Sequence, residues 1–305
     1  MRSRWQRFRE SFFLYSFLRD PMAYVSFAII VVLFIGAFGA PVLAPHNPYD
    51  PTTIDIMDSE LPPVWSAEGS TKFLLGTDNM GRDMLSTMLY GMRISIIIGV
   101  GAVALQAFLG IVIGLLSGYI SKLDNVLMRI ADVQLSFSTY MIAIFIGAIF
   151  QTMFGVANYE KIAAPLLILI IGLAEWPQYA RTVRASVLAE RRKEYVEAAR
   201  VIGLSKIRIM WRHILPNTLS PVLVISTVQV ANAIMSEAAL SFLGLGMPMS
   251  KPSLGSLITA GFEYIFSGSW WITIFPGFLL VLLVLVINLM GDWVRDYLNP
   301  KLYKG

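Results

Sequence analysis

Six stretches of roughly twenty mostly apolar residues, 22–43, 94–117, 126–151, 162–179, 219–240 and 270–290, constrain this chain more than any motif in it. At about 1.5 Å of helix per residue, each reaches across a hydrocarbon core about 30 Å thick. Hydrophobic residues make up 56% of the 305 and charged ones only 14%, and the mean hydropathy is positive. The chain therefore belongs in a bilayer. Before the first stretch, Arg2, Arg4, Arg7, Arg9 and Arg19 are set among Trp5, Phe8, Phe12, Phe13 and Phe17, which suits a segment lying on an anionic membrane surface. The 22–43 run exceeds the about 7 to 15 apolar residues of a secretion signal, so a retained first membrane helix is predicted rather than a cleaved leader.

Residues 44–91 are polar and rich in turn formers, among them Pro45, Pro48, Pro51, Pro62 and Pro63, and read as a loop outside the membrane. Within it, Leu75-Gly76-Thr77-Asp78-Asn79-Met80-Gly81-Arg82-Asp83 puts two glycines where tight turns are needed. Thr77, Asp78 or Asn79 is placed to cap the helix that follows. Asp78 and Asp83 invite a divalent-metal reading, but two carboxylates alone do not make a Ca²⁺ or Mg²⁺ site. No metal site is expected elsewhere, since the chain has no Cys and its two histidines, His46 and His213, lie far apart in sequence.

In the second stretch, Gly99, Gly101, Gly110 and Gly114 are spaced to let helices pack backbone to backbone. In the third, Arg129 and Asp132 stand three apart and are predicted to pair near the interface. The fourth ends at Glu175-Trp176-Pro177-Gln178-Tyr179, with Trp and Tyr as interfacial anchors. Pro276 predicts a kink in the sixth. Away from their ends, the spans offer Gln106, Gln229, Asn232 and Asn288 as strongly polar groups and, on this reading, no carboxylate at depth.

Between the fourth and fifth stretches lies a charged island, 197–216, reading EAARVIGLSKIRIMWRHILP. Helix formers fill 191–201, Gly203 suits a left-handed cap, Ser205 can start a second short helix, and Pro216 is expected to end it. A helical hairpin outside the bilayer results. Any basic loop could form such a surface helix, and Glu-Ala-Ala alone is common in helices; the small pair, Ala198 and Ala199, beside the single charge of Glu197 offers a surface that can enter a groove closely.

Charge fixes the orientation. With six spans and a cytoplasmic N-terminus, one side holds Arg2, Arg4, Arg7, Arg9, Arg19, Lys122, Arg181, Arg184, Arg191, Arg192, Lys193, Arg200, Lys206, Arg208, Arg212, Arg295, Lys301 and Lys304. The other holds Lys72, Arg82, Lys161 and Lys251. Eighteen against four puts both termini and the hairpin in the cytoplasm. The net charge of +4 thus matches lipid topology, and no nucleic-acid partner is expected.

Glu-Ala-Ala, three residues, Gly, nine residues, then His-Ile-Leu-Pro resembles the coupling-loop signature of ABC importer permeases, carried here by Glu197, Ala198, Ala199, Gly203, His213, Leu215 and Pro216. The LGTD-x-x-GRD wording, the segment from Glu237 to Gly246 and the closing 291–300 resemble the dipeptide, oligopeptide and nickel group of these permeases, the C-type subunit in particular. That group usually carries Pro where this chain has Ser138. The resemblance implies an all-α membrane protein of six transmembrane helices with the type I importer permease fold and cytoplasmic N- and C-termini. It would be multi-pass in a bacterial inner membrane. The division expected is 1–43 for the N-terminal segment and first helix, 44–91 for a periplasmic loop, 92–291 for a five-helix core with the coupling hairpin at 181–217, and 292–305 for a cytoplasmic tail. Implied partners are a second homologous permease, two cytoplasmic ATP-binding subunits that hold ATP and Mg²⁺, a periplasmic substrate-binding protein and membrane lipid. No cofactor belongs to this chain, and the implied cargo is peptide, with nickel complexes or oligosaccharides as alternatives.

Other classes fit the residues less well. A channel or ion-coupled transporter needs ionisable groups within the spans. An intramembrane enzyme needs a nucleophile with its base, and neither histidine lies in a span. The chain has no Gly-x-x-x-x-Gly-Lys-Ser/Thr phosphate loop, so energy has to come from a partner.

Overall fold

The computed structural model describes residues 12–50, 52 and 54–298, and among them every regular element is a helix. Arg2, Arg4, Arg7 and Arg9, with Lys301 and Lys304 in the tail, lie outside the described residues. Hydrocarbon offers the backbone no hydrogen-bond partner, so a span has to satisfy its own N–H and C=O groups, and a helix does. The chain divides into two compact units, residues 98–236 and the residues to 97 with those from 237.

In the outer-sequence unit, α1 (Phe12–Arg19) precedes α2 (Pro21–Phe38). Asp20 caps α2 by accepting from the N–H groups of Met22 and Ala23, and Pro21 supplies a first-turn residue that needs no acceptor. After the short α3 (Ala40–Leu43) comes the loop, then the start of α4 (Met84–Tyr119). Residue 91 therefore falls inside a helix rather than at its start. The helix cap is Asp83, whose carboxylate accepts from Ser86 N at 2.9 Å. Asp78 is used differently, taking the N–H groups of Met80 and Arg82 and the Arg82 guanidinium at 2.7 Å. Both carboxylates of the metal reading are thus spoken for by protein donors. Gly76 and Gly81 adopt positive φ, and a Cβ at Gly81 would sit 2.1 Å from the Asp55 carbonyl.

The same unit closes with α11 (Leu254–Phe262) and α12 (Trp271–Leu298), and α12 packs against both α2 and α11. The helix runs on through Pro276 and past residue 291. Arg82 donates to Met249 O at 2.7 Å and Trp271 Nε1 to Thr77 O at 3.0 Å, so the loop is stapled to the segment that follows residue 246. Phe17 meets Trp293 edge to face at 5.2 Å. The start of α2 and the end of α12 are therefore at the same end of this unit.

In the 98–236 unit, α4 continues alongside α7 (Val156–Glu190). A Cβ on Gly101 would meet Ile168, on Gly110 Tyr179 and Ala180, on Gly114 Val183, and on Gly118 Val187. The partner numbers rise together, so the two helices run parallel, and whatever joins them must cross the membrane once in return. That return is α5 (Ser121–Leu135) and α6 (Thr139–Phe154), bent by 84° at residues 136–138. The third span expected from the sequence is thus a broken one, and counted as one crossing it keeps the total at six. The break forms without proline because Ser136 Oγ donates back to Asp132 O while Ser136 and Phe137 N–H bond three residues back, tightening and ending the helix.

Two further expectations change here. Asp132 pairs with Arg181 at 2.6 Å rather than with Arg129. The fourth span does not stop at Tyr179: α7 passes Pro165 and Pro177 and ends at Glu190, a continuation that membrane helices tolerate. Beyond it come α8 (Glu194–Val201), α9 (Lys206–Ile209), a π-turn at Met210–Ile214 and α10 (Leu215–Phe242). The last packs antiparallel to α7, with Tyr179 OH donating to Ser226 Oγ at 3.1 Å and Gln229 to Glu175 at 3.1 Å.

Gly110 is the tightest point of the parallel pair, since an added Cβ would lie 2.1 Å from Tyr179 Cβ and 2.9 Å from Ala180 N. Gly110→Val is expected to cost about 3 kcal/mol or more through forced separation of the two helices. Gly277→Ala, where nothing lies within 4 Å of the new methyl group, should be neutral or stabilising. Melting of the detergent-solubilised chain checks both.

Candidate functional site

The hairpin is built as two short arms around Gly203. Glu194 and Glu197 stand in the first turn of α8 and Arg200 in its last, each opposite the matching end of the helix dipole. Gly203 has φ of 81°, and the helix closes on it with two bonds, Gly203 N to Arg200 O at 3.0 Å and Leu204 N to Ala199 O at 3.1 Å. This paired closure requires a left-handed residue at that place. Ser205 then accepts from Arg208 N at 3.4 Å and opens α9, as its sequence position predicts.

Pro216 does not end the second arm. Its ring lacks an N–H and would clash with the carbonyl four residues back in a regular helix. The chain avoids this by widening: Met210–Ile214 forms a π-turn, and Leu215 N–H reaches Met210 O. The arm passes directly into α10, so the hairpin is one end of a membrane-spanning helix.

The two alanines part company. Ala199 and Val196 are buried, whereas Ala198 and Glu197 are exposed. Beside them Val201 is 87% exposed and Ile202 78%, a bare apolar edge on an otherwise charged segment. His213, Leu215 and Pro216 are not at this edge; they belong to the root of the hairpin.

The sequence reading missed a brace at that root. Tyr195 OH donates to Glu190 Oε2 at 2.6 Å, while Asn217 Nδ2 donates to Tyr195 OH at 3.2 Å and to His213 O at 2.8 Å. Burial, with help from the bonded Glu190 carboxylate, pushes the Tyr195 hydroxyl up to about 12, so it stays protonated and donates. Tyr195 and Asn217 are 22 residues apart, a separation that no helical periodicity flags. Further down, Arg184 holds Asp124 with two bonds at 2.5 and 2.6 Å, and Arg191 donates to Gly118 O at 2.9 Å. The hairpin thus rises from a cross-linked base.

The carboxylates that the sequence places at the ends of the fourth and fifth apolar stretches, Glu175 and Glu237, are both within helices that continue past them, α7 and α10. Glu237 is fully buried and accepts from Ser253 at 2.6 Å, Ser241 at 2.7 Å and Ser95 at 3.2 Å.

A multi-pass helical bundle whose span projects a braced hairpin is the form of a transport permease. Residues 110–304 match the family of binding-protein-dependent transport system inner membrane components, and residues 2–63 match the N-terminal transmembrane domain of oligopeptide transport permease C. The chain belongs to this family of ABC importer permeases, and with it to a transport complex with ATPase and substrate-binding partners. It is 36% identical over 275 residues, 90% of its own length and 86% of the relative's, to a di/tripeptide transport system permease protein of Pseudomonas aeruginosa. It is 39% identical over 293 residues to the dipeptide transport system permease protein of Escherichia coli K12, covering 95% and 92% of the two chains. A putative peptide transport system permease of Brucella abortus is 39% identical over 287 residues, 93% and 90% of the two. In fold, the chain resembles a structure described as an inward-facing conformation of the MetNI methionine ABC transporter, with a TM-score of 0.51 at 22% identity over 71% of this chain and 98% of that one.

Two outcomes are expected of the hairpin. Gly203→Val, in open space but left-handed, should cost about 1–2 kcal/mol locally and raise hydrogen exchange across 199–205 without moving the global melt. Ala199→Trp, at a buried position, should lower the melting temperature by several degrees, and Ala198→Trp, at an exposed one, should not.

Proposed function

We propose that this chain is one permease half of an ATP-driven peptide importer. It pairs with a second, homologous permease, stands above two cytoplasmic ATP-binding subunits and receives cargo from a periplasmic substrate-binding protein. Peptide is favoured over nickel complexes or oligosaccharides by the names its relatives carry. A cytoplasmic position for both termini and the hairpin is supported by the charge asymmetry, by the Phe17–Trp293 contact, and by Arg184 and Arg191 gripping Asp124 and Gly118 at one end of the inner unit.

The observation that carries the reading is the bare edge of Val201 and Ile202 on an arm continuous with α10. A cleft on an ATP-binding subunit that takes this edge moves it when ATP and Mg²⁺, held by those subunits, draw them together. The Gly203 closure keeps the two arms in register, and the Tyr195–Asn217 brace prevents the root from yielding. Displacement of the edge is then transmitted as displacement of α10. With the two permeases moving in opposition, the path between them opens alternately to either side. The chain itself performs no catalysis; it converts a partner's hydrolysis into rearrangement.

Gentle solubilisation of the tagged chain should recover two ATP-binding chains and a second permease, identified by mass spectrometry, and recovery of the chain alone would count against the assembly. Ile202→Asp should reduce recovery of the ATP-binding chains about tenfold, the order of one lost buried apolar contact. Its melting temperature should match the unaltered chain, because Ile202 is exposed.

A further inference from the structure

Glu175 has no role in the hairpin or its base, and its surroundings differ from those of Glu237. It is half-buried in α7, between the chain's Lys161 and Arg181. Gln229, buried in α10, donates to its Oε2 at 3.1 Å, and Asn232, on the exposed face of α10, donates to Gln229 Oε1 at 2.7 Å. Among the described residues no cation is within ion-pair distance of Glu175, and no donor reaches its Oε1 or Asn232 Oδ1.

A carboxylate and two amides in a row are costly beside lipid and are kept in spans where they face water or cargo. Asn232 shares its face of α10 with Val228 and Met235, 37% and 53% exposed, so the polar group sits in an apolar strip. A strip of this kind suits a ligand that is apolar in part and cationic at one point. The Gln229 amide cannot neutralise the carboxylate; it can only hold it in place, leaving the charge for something that arrives.

We infer that Glu175, positioned by Gln229 and flanked by Asn232, is a station on the translocation path for the α-ammonium group of the passing peptide. The inference rests on the importer reading above. Glu175 accepts from the ammonium group through Oε1, Asn232 Oδ1 takes a second of its three N–H bonds, and Val228 and Met235 meet the first side chain. No bond is made or broken; the site lowers the cost of carrying a charged terminus through a low-dielectric passage.

The test uses the complete complex in proteoliposomes with radiolabelled Ala-Ala, saturating binding protein and ATP, and reads peptide taken up per ATP hydrolysed. Glu175→Gln keeps the shape and an acceptor for Gln229 but removes the charge, and should lower that ratio about tenfold. Glu175→Asp, which keeps the charge, should recover to within about threefold of the unaltered complex. A ratio for Glu175→Gln equal to that of the unaltered complex would overturn the inference alone. So would equal losses in Glu175→Gln and Glu175→Asp accompanied by a lowered melting temperature, which would make Glu175 a packing group. Failure of the unaltered complex to take up Ala-Ala would overturn the peptide reading, and this inference with it.

Discussion

The inner unit depends on how closely two helix backbones can approach in hydrocarbon. Lipid tails are as apolar as Leu or Val, so apolar side chains gain little by leaving lipid for one another, and contact distance decides which helices associate. At Gly110, Gly114 and Gly118, α7 comes so near that an added Cβ would lie within 2.1 to 2.7 Å of a Tyr179, Ala180 or Val187 atom. Gln106 adds a side-chain bond to the Ile171 carbonyl at 3.2 Å. This packing fixes the two helices as parallel, and parallel packing in turn requires the intervening segment to return across the membrane. The bent pair α5–α6 is the consequence, and its α5 half is held to α7 by the pairs from Asp124 and Asp132 to Arg184 and Arg181.

The same contacts explain why the hairpin is rigid at its root and bare at its tip. The end of α7 is fastened to α4 by Arg191 and to α5 by Arg184, so the position of Glu190 is set by the bundle. Glu190 holds Tyr195, Tyr195 is held by Asn217, and Asn217 belongs to α10. The Tyr195–Glu190 link is short and half-buried, and Asn217 completes the brace from an exposed position. The apolar residues that could have buried themselves in this base, Val201 and Ile202, are instead carried past it by the α8 helix and left exposed at the turn.

Much of this was legible in the sequence. Six crossings follow from apolar length, and the closure at Gly203 and the cap at Ser205 follow from residue type at a helix end. Helix ends were less legible, because hydropathy marks where lipid stops and not where helix stops; α7 and α12 run eleven and eight residues beyond their apolar stretches. Proline misled for a related reason. Pro216 is expected to end the second arm, yet it is absorbed by a π-turn that supplies the room its ring needs, and Pro177 is likewise passed without a break in α7. The bend at 136–138 was obscured in the opposite way, since serine and not proline produces it. Partnerships across many residues, Asp132 with Arg181 or Tyr195 with Asn217, leave no local pattern to read.

The two carboxylates at the ends of the fourth and fifth apolar stretches are handled differently, and the contrast between them is informative. Glu237 is sealed from solvent, and three serine hydroxyls from α4, α10 and the start of α11 converge on its two oxygens. Ser95 also accepts from Leu254 N, and Ser253 caps α11 reciprocally with Ser256. Two of the donors that Glu237 uses, Ser95 and Ser253, also bind N–H groups in the first turn of α11, so this carboxylate joins three helices. Glu175 has one amide donor and an open oxygen beside a polar group on an exposed face. Equal chemistry in equal surroundings would have been closed off in the same way, because an unsatisfied acceptor inside a membrane protein costs more than the serine or threonine that would satisfy it. That Glu237 is completed by the fold and Glu175 is not distinguishes a group that holds the structure together from one kept for something outside the chain.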